Sequence, residues 1–245
     1  MKNTPRFFIN KSQIQRKRFL IEDERSVRHM GLVLRMKKGD KLELFDGEGL
    51  EYQATLGFLS KKQAAGVVET VSEIKVEEKI RITIAQSLPR AGKLDDVVRM
   101  NTEVGINSFI FFESEYSVAK KESFTSSKID RLNKVSLEAL RQSEGIISPK
   151  LTGPLDFLEV VSLKDYDFKI LLHSRNVKES TNLSDIKKEL DANSKILLII
   201  GPEGGFSPKE VKIALENECK LAYLNLPILR TETAGVVASS FLLIS

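Results

Sequence analysis

Five consecutive apolar residues, Ile196-Leu197-Leu198-Ile199-Ile200, run directly into Gly201-Pro202-Glu203-Gly204-Gly205, after which Phe206-Ser207-Pro208-Lys209-Glu210 opens a helix. An unbroken apolar run of strand length needs cover on both faces, the situation of a parallel sheet with helices on either side. Ligands of open α/β sheets sit beyond the carboxyl ends of the strands, and glycines there let backbone approach a ligand with no Cβ in the way. Ser207 as N-cap and Pro208 in the first helical position fully account for the helix start. They leave the glycines and Glu203 unexplained, so a ligand loop is expected. The loop fits neither G-x-G-x-x-G nor G-x-x-x-x-G-K-[ST], which disfavours dinucleotide and ATP sites.

The surrounding sequence supplies the rest of such a sheet. Strands are expected at 80–86, 108–112, 168–173, 195–200 and 221–224. Helices are expected at 93–104, closed by Gly105, at 127–143, 184–193 and 208–217, and in a final apolar segment at 233–244. Residues 7–71 follow a different pattern. Short strands at 7–9, 41–45, 52–58 and 65–69 are separated by Gly39-Asp40 and Asp46-Gly47-Glu48-Gly49, and Val27, Met30, Val33 and Leu34 share a helical face after a cap at Asp23. A small β-barrel closed by one short helix is expected. The charged stretch 71–79 contains no aromatic residue and places the boundary near residue 74, giving domains 1–73 and 74–245.

A second loop again follows a short strand and precedes an apolar helix: Leu224-Asn225-Leu226-Pro227-Ile228, then Leu229-Arg230-Thr231-Glu232-Thr233-Ala234. Thr231 or Thr233 as N-cap, with Glu232 near the positive end of the helix, is the bland account of half of it. Arg230 is left over, and its planar fork of donors suits a carboxylate or a phosphate.

Composition limits the partners and the compartment. Lys and Arg number 38 against 34 Asp and Glu, a net charge of +4 that permits a polyanionic partner without requiring one. The single cysteine, Cys219, can form no internal disulfide and has no ligand neighbours at metal spacing. The amino-terminal residues hold no signal-peptide apolar run, and no stretch approaches the ~20 apolar residues of a membrane span. A cytoplasmic protein is expected.

Taken together, the glycine loop and the arginine loop resemble the SPOUT superfamily and, more narrowly, the bacterial 16S ribosomal RNA (uracil-N3) methyltransferases. Arg6-Phe7-Phe8, Arg28-His29-Met30, Val33-Leu34-Arg35, Gly39-Asp40 and Phe45-Asp46-Gly47 are similar to that family's PUA-like RNA-binding barrel. Leu88-Pro89, Thr102-Glu103-Val104-Gly105, Ser117-Val118 and Gln142-Ser143 before Pro149 follow in the family's order. The resemblance spans nearly the whole chain. It departs at Met100 for a lysine, Tyr116 for an arginine, Arg141 for a glutamate, Glu144-Gly145 for a Gly-Arg pair, Asn225 for a glycine and Pro227 for an arginine.

The resemblance implies an α/β SPOUT-type domain with a deep trefoil knot behind a PUA-like β-barrel. It further implies S-adenosyl-L-methionine bent in a cleft lined by Gly201, Glu203, Gly204, Leu224, Leu229 and Ala234; Ile200, Thr231 and the strand-end His173 are expected beside it, a structural role being the alternative for His173. The reaction would be attack by uracil N3 on the sulfonium methyl group, with no metal. Arg230 would stabilise an anionic uracil or grip a phosphate, and Glu232 would accept a proton or only cap a helix. Arg6, Arg16, Lys17, Arg18, Arg28 and Arg35 would meet the phosphates of 16S rRNA or of the 30S ribosomal subunit, a solvated basic face being the alternative. His29 belongs to the barrel, where packing or RNA contact is expected of it rather than base catalysis. A homodimer is implied as well. A SPOUT enzyme acting on another rRNA or tRNA position, or a non-catalytic RNA-binding protein, are the alternatives.

Overall fold

The computed structural model describes residues 4–74, 79–90, 92–173 and 178–244. The chain forms two compact units, Met1–Val76 with Leu140–Ser148, and Glu77–Ala139 with Pro149–Ser245. The division drawn from the sequence is contiguous, whereas these units interleave. What ties 140–148 to the first unit is backbone: the N–H of Ser148 donates to the Gly47 carbonyl at 2.8 Å, and Ile147 bridges to Glu48. Such contacts leave no hydrophobic period to read.

The first unit contains strands β1 (Arg6–Phe8), β2 (Ile14–Gln15) and β3 (Arg18–Ile21), helix α1 (Glu24–Arg28), and strands β4 (Lys41–Phe45), β5 (Leu50–Leu59) and β6 (Ala64–Glu73). They make a six-stranded sheet in the order β1-β4-β5-β6-β3-β2, antiparallel except for β1 beside β4. Alternate residues enter one core: Phe19 and Ile21, Leu42 and Leu44, and Tyr52, Ala54 and Leu56. Register shifts at Gln53/Ala54 and Leu56/Phe58 bend the long β5–β6 pair, as bulges do. The helix expected over 23–35 is α-helical only through Arg28, capped by Asp23, and continues as a π-helical turn over His29–Val33.

The second unit runs β7 (Arg81–Ser87), α2 (Lys93–Val104), β8 (Ser108–Glu113), α3 (Ser126–Gln142), β9 (Lys150–Asp156), α4 (Phe157–Val161), β10 (Phe168–Leu172), β11 (Thr181–Asn182), α5 (Leu183–Lys187), β12 (Lys195–Ile200), α6 (Pro208–Glu216), β13 (Lys220–Tyr223) and α7 (Thr231–Leu243). Its seven strands lie in the order β11-β13-β10-β12-β7-β8-β9 and every pairing is parallel. The apolar run of β12 behaves as its composition requires: Ile196, Leu198 and Ile200 enter one core with α2, α5 and α7, while Leu197 and Ile199 enter a second with α4 and α6. Gly105 ends α2 in the left-handed conformation, at φ 90°. The helix expected over 184–193 stops at Lys187.

Candidate functional site

Strands β10, β12 and β13 are neighbours in the parallel sheet, so their carboxyl ends bring His173, the glycine loop and the arginine loop together. With Lys93 at the start of α2 and Ala234 in α7 they enclose a cleft of about 460 Å³. All nine residues named for the cofactor, His173, Ile200, Gly201, Glu203, Gly204, Leu224, Leu229, Thr231 and Ala234, border this cleft, as does Arg230. Glu232 is not among its walls; its carboxylate turns toward Lys93.

The two loops are joined by one hydroxyl. Thr231 Oγ1 donates to the carbonyl of Gly201 at 2.7 Å and accepts from Nε2 of the fully buried Gln86 at 2.9 Å. Thr231 is therefore not the helix cap that its position suggested. Arg230 occupies the N-cap of α7 without a side-chain capping bond. It is exposed, and among the described residues it makes no ion pair. Gln86, at the end of β7, has no counterpart in the sequence analysis, because its partner stands 145 residues away. The glycines are closely approached: a Cβ on Gly201 would come 3.0 Å from the Phe206 ring, and one on Gly204 would come 3.1 Å from Cβ of Tyr116.

Lys93 is the second residue that sequence reasoning missed. A cation in the first turn of a helix is disfavoured by the helix dipole, yet Lys93 Nζ lies 3.2 Å from Glu203 Oε1 and 3.1 Å from Glu232 Oε2. The pair with Glu232 is an ion pair without hydrogen-bond geometry, since that buried Oε2 has no hydrogen-bond partner. One ammonium thus spans the glycine loop and the arginine loop. Burial works against the Glu203 carboxylate, but its own backbone N–H, Lys93 and the Arg90 N–H together outweigh it and hold the carboxyl below its ordinary value. For Lys93, partial burial opposes the charge while the two carboxylates raise its pKa above the usual lysine value. The signal that was available is the placement of Lys93 just beyond Arg90, after β7, where the same strand-end rule applies.

Beside the glycine loop a tight turn over 114–117 is fastened to the start of α6. Ser117 N donates to the Ser114 carbonyl, and Ser114 N to Ser117 Oγ at 3.0 Å. Glu115 N donates to Glu210 Oε1 at 2.9 Å, and Ser207 Oγ donates to Glu115 Oε2 at 2.6 Å. Ser207 and Glu210 are also the capping box of α6. This leaves Tyr116 exposed on the turn, against Gly204.

In the first unit Arg16, Lys17, Arg18, Arg28 and Arg35 are exposed, while Arg6 is 9 % exposed. The Arg6 guanidinium bonds Glu43 Oε1 and Glu51 Oε1, each at 2.8 Å, and lies 4.4 Å over the Phe45 ring. The phosphate contact expected of Arg6 is therefore withdrawn: its charge is spent inside the unit. His29 meets Phe7 edge-on with ring centroids 6.1 Å apart, a packing role.

Residues 76–243 match the family model described as RNA methyltransferase domain, and residues 21–69 match RNA methyltransferase PUA domain. Ribosomal RNA small subunit methyltransferase E of Bacillus subtilis is 31% identical, covering 96% of this chain and 94% of that protein. The enzyme of the same name from Rickettsia conorii is 30% identical over 95% and 92%. Among solved structures, a putative methyltransferase from Legionella pneumophila in complex with bound SAM superposes with a TM-score of 0.85 at 26% identity, covering 98% of this chain and 96% of that one. A ribosomal RNA small subunit methyltransferase E from Neisseria gonorrhoeae bound to S-adenosyl methionine gives 0.82 at 25% identity, over 97% and 96%.

Proposed function

The chain belongs to the RNA methyltransferase family, with the family's PUA domain preceding its methyltransferase domain, and from that premise we propose that it transfers a methyl group from S-adenosyl-L-methionine to N3 of a uracil in the 16S RNA of the small ribosomal subunit. The observation that carries this is the cleft at the ends of β10, β12 and β13, in which every residue named for the cofactor meets. Its fold is the α/β SPOUT type behind a PUA-like unit. The trefoil knot that the resemblance implies belongs to the same reading.

The cleft fits the cofactor on its own residues. Its volume of about 460 Å³ lies within the ~300–1,000 Å³ usual for ligand pockets. Ile200, Leu224, Leu229 and Ala234 offer apolar walls for a purine, and the two bare glycine positions leave backbone accessible. The Glu203 carboxylate on the cleft wall, held ionised beside Lys93, and the Arg230 guanidinium at its mouth offer one group of each sign to a zwitterionic ligand. Bound there, the cofactor supplies an electrophilic methyl group on a positively charged sulfur.

Arg230 stands at the mouth with paired donors, suited to the oxygens flanking uracil N3 or to an adjoining phosphate. Lys93 holds Glu203 and Glu232 so that the two loops keep one spacing, and orientation of this kind supplies much of the rate in a transfer between two bound groups. Arg16, Arg18, Arg28 and Arg35 provide the position and salt-dependent affinity of RNA binding. A homodimer is supported by α7, on which Val236 and Val237 stay half-buried outside the cores while the rest of the helix is almost wholly apolar or small. No helix of the described residues is long and apolar enough to cross a membrane, and a ribosomal RNA substrate supports the reading of a cytoplasmic protein.

The test is methylation of small ribosomal subunits with labelled S-adenosyl-L-methionine, followed by nucleoside analysis. Label in 3-methyluridine is expected. Label in another nucleoside overturns the target, and failure to bind the cofactor overturns the class.

A further inference from the structure

Tyr116 is the sole aromatic side chain exposed among the described residues of the second unit, at 45%. Its place is specific: Gly204 of the cofactor loop approaches so closely that any Cβ there would come 3.1 Å from that of Tyr116. Its backbone is fixed on both sides, by the Ser114–Ser117 turn and by Glu115, whose N–H and carboxylate are bound to Glu210 and Ser207 at the start of α6. The exposed Arg90 is next to the same loop, its N–H 3.2 Å from Glu203 Oε1. An apolar ring left in water on a pre-ordered turn is what an unpaired base of a single strand needs: a face on which to stack.

We propose that Tyr116 is a stacking platform for an unpaired nucleobase of the RNA substrate, placed at the rim of the cofactor cleft. The inference rests on the RNA-methylating role set out above and deepens it. A base laid on Tyr116 anchors the strand beside Gly204, so the neighbouring nucleotide is presented to the cleft. Because the turn is ordered before RNA arrives, little conformational freedom is lost on binding. Stacking on a neutral ring releases no counterions, so the affinity contributed here depends little on salt.

The test compares the full chain with Tyr116→Phe and Tyr116→Leu. Binding of single-stranded oligouridylate is measured at several salt concentrations with S-adenosylhomocysteine saturating, and S-adenosyl-L-methionine affinity is measured separately. Tyr116→Leu is expected to weaken RNA binding on the order of 10- to 100-fold, with an unchanged salt slope and unchanged cofactor affinity, while Tyr116→Phe stays near wild type. RNA affinity equal to wild type in Tyr116→Leu overturns the proposal. So does a parallel loss of cofactor affinity, which marks Tyr116 as a prop for the glycine loop. A wild-type chain that binds RNA through Tyr116 yet leaves small subunits unmethylated overturns the target reading alone.

Discussion

Thr231 satisfies two polar groups with one oxygen, the part-buried Gly201 carbonyl and the buried Gln86 amide. Thr231→Val keeps the shape and removes both bonds, leaving polar groups unpaired, so a loss on the order of 1–3 kcal/mol is expected, read from the midpoint of urea unfolding. Weaker cofactor binding by calorimetry is expected with it, because the two loops lose their common tie. Glu203 makes a pH-dependent contribution. Its folded pKa lies below the ordinary 4.5, so its stabilisation is fully present above that value and is lost as pH falls through the depressed one. Glu203→Gln should therefore lower the melting temperature at pH 7, and the two melting curves should converge in acid; a gap that stays constant with pH would contradict this. The glycine loop at the end of β12 was legible as a loop from local signals, whereas Leu229 was named only through the family resemblance. Gln86 and Lys93 were not legible, because their roles exist only with partners 145 and 110 or more residues away. Arg6 misled for the same reason: nothing near it in the sequence announces Glu43 and Glu51.

At the scale of elements, the hairpin joining β2 to β3 departs most from local preference. Gln15 pairs with Arg18, and the two loop residues between, Arg16 and Lys17, have φ of 46° and 62°. Such a turn favours Asn-Gly, and side chains with a Cβ are strained in it. Two exposed cations held there at a cost in stability fit a surface that meets phosphate. Replacing them together, Arg16→Asn with Lys17→Gly, should raise stability by about 1 kcal/mol and weaken RNA binding with a shallower salt dependence; thermal melts and filter binding read the two effects. This hairpin was invisible in the sequence because its turn lacks the expected residues. The strand β9 was hidden by Gly153-Pro154, a pair that normally breaks strands and is tolerated here at the edge of the sheet. By contrast β12 and α6 were read almost to the residue, since an apolar run and a Ser-Pro start are local signals.

For the molecule as a whole, the cleft lies wholly within the second compact unit, whereas the exposed Arg16, Arg18, Arg28 and Arg35 lie in the first. S-adenosyl-L-methionine should slow amide exchange in 201–207 and 224–234 and leave β1 through β6 unchanged; mass-resolved hydrogen exchange tests this, and protection in the first unit would show coupling between them. The tie through Thr231 also has a meaning in time. Gln86, Gly201 and Thr231 come together across most of the chain, and contacts of such span close late in folding. During synthesis no segment ending before Thr231 can complete the cleft, so the binding site is assembled only after nearly the whole chain has been made.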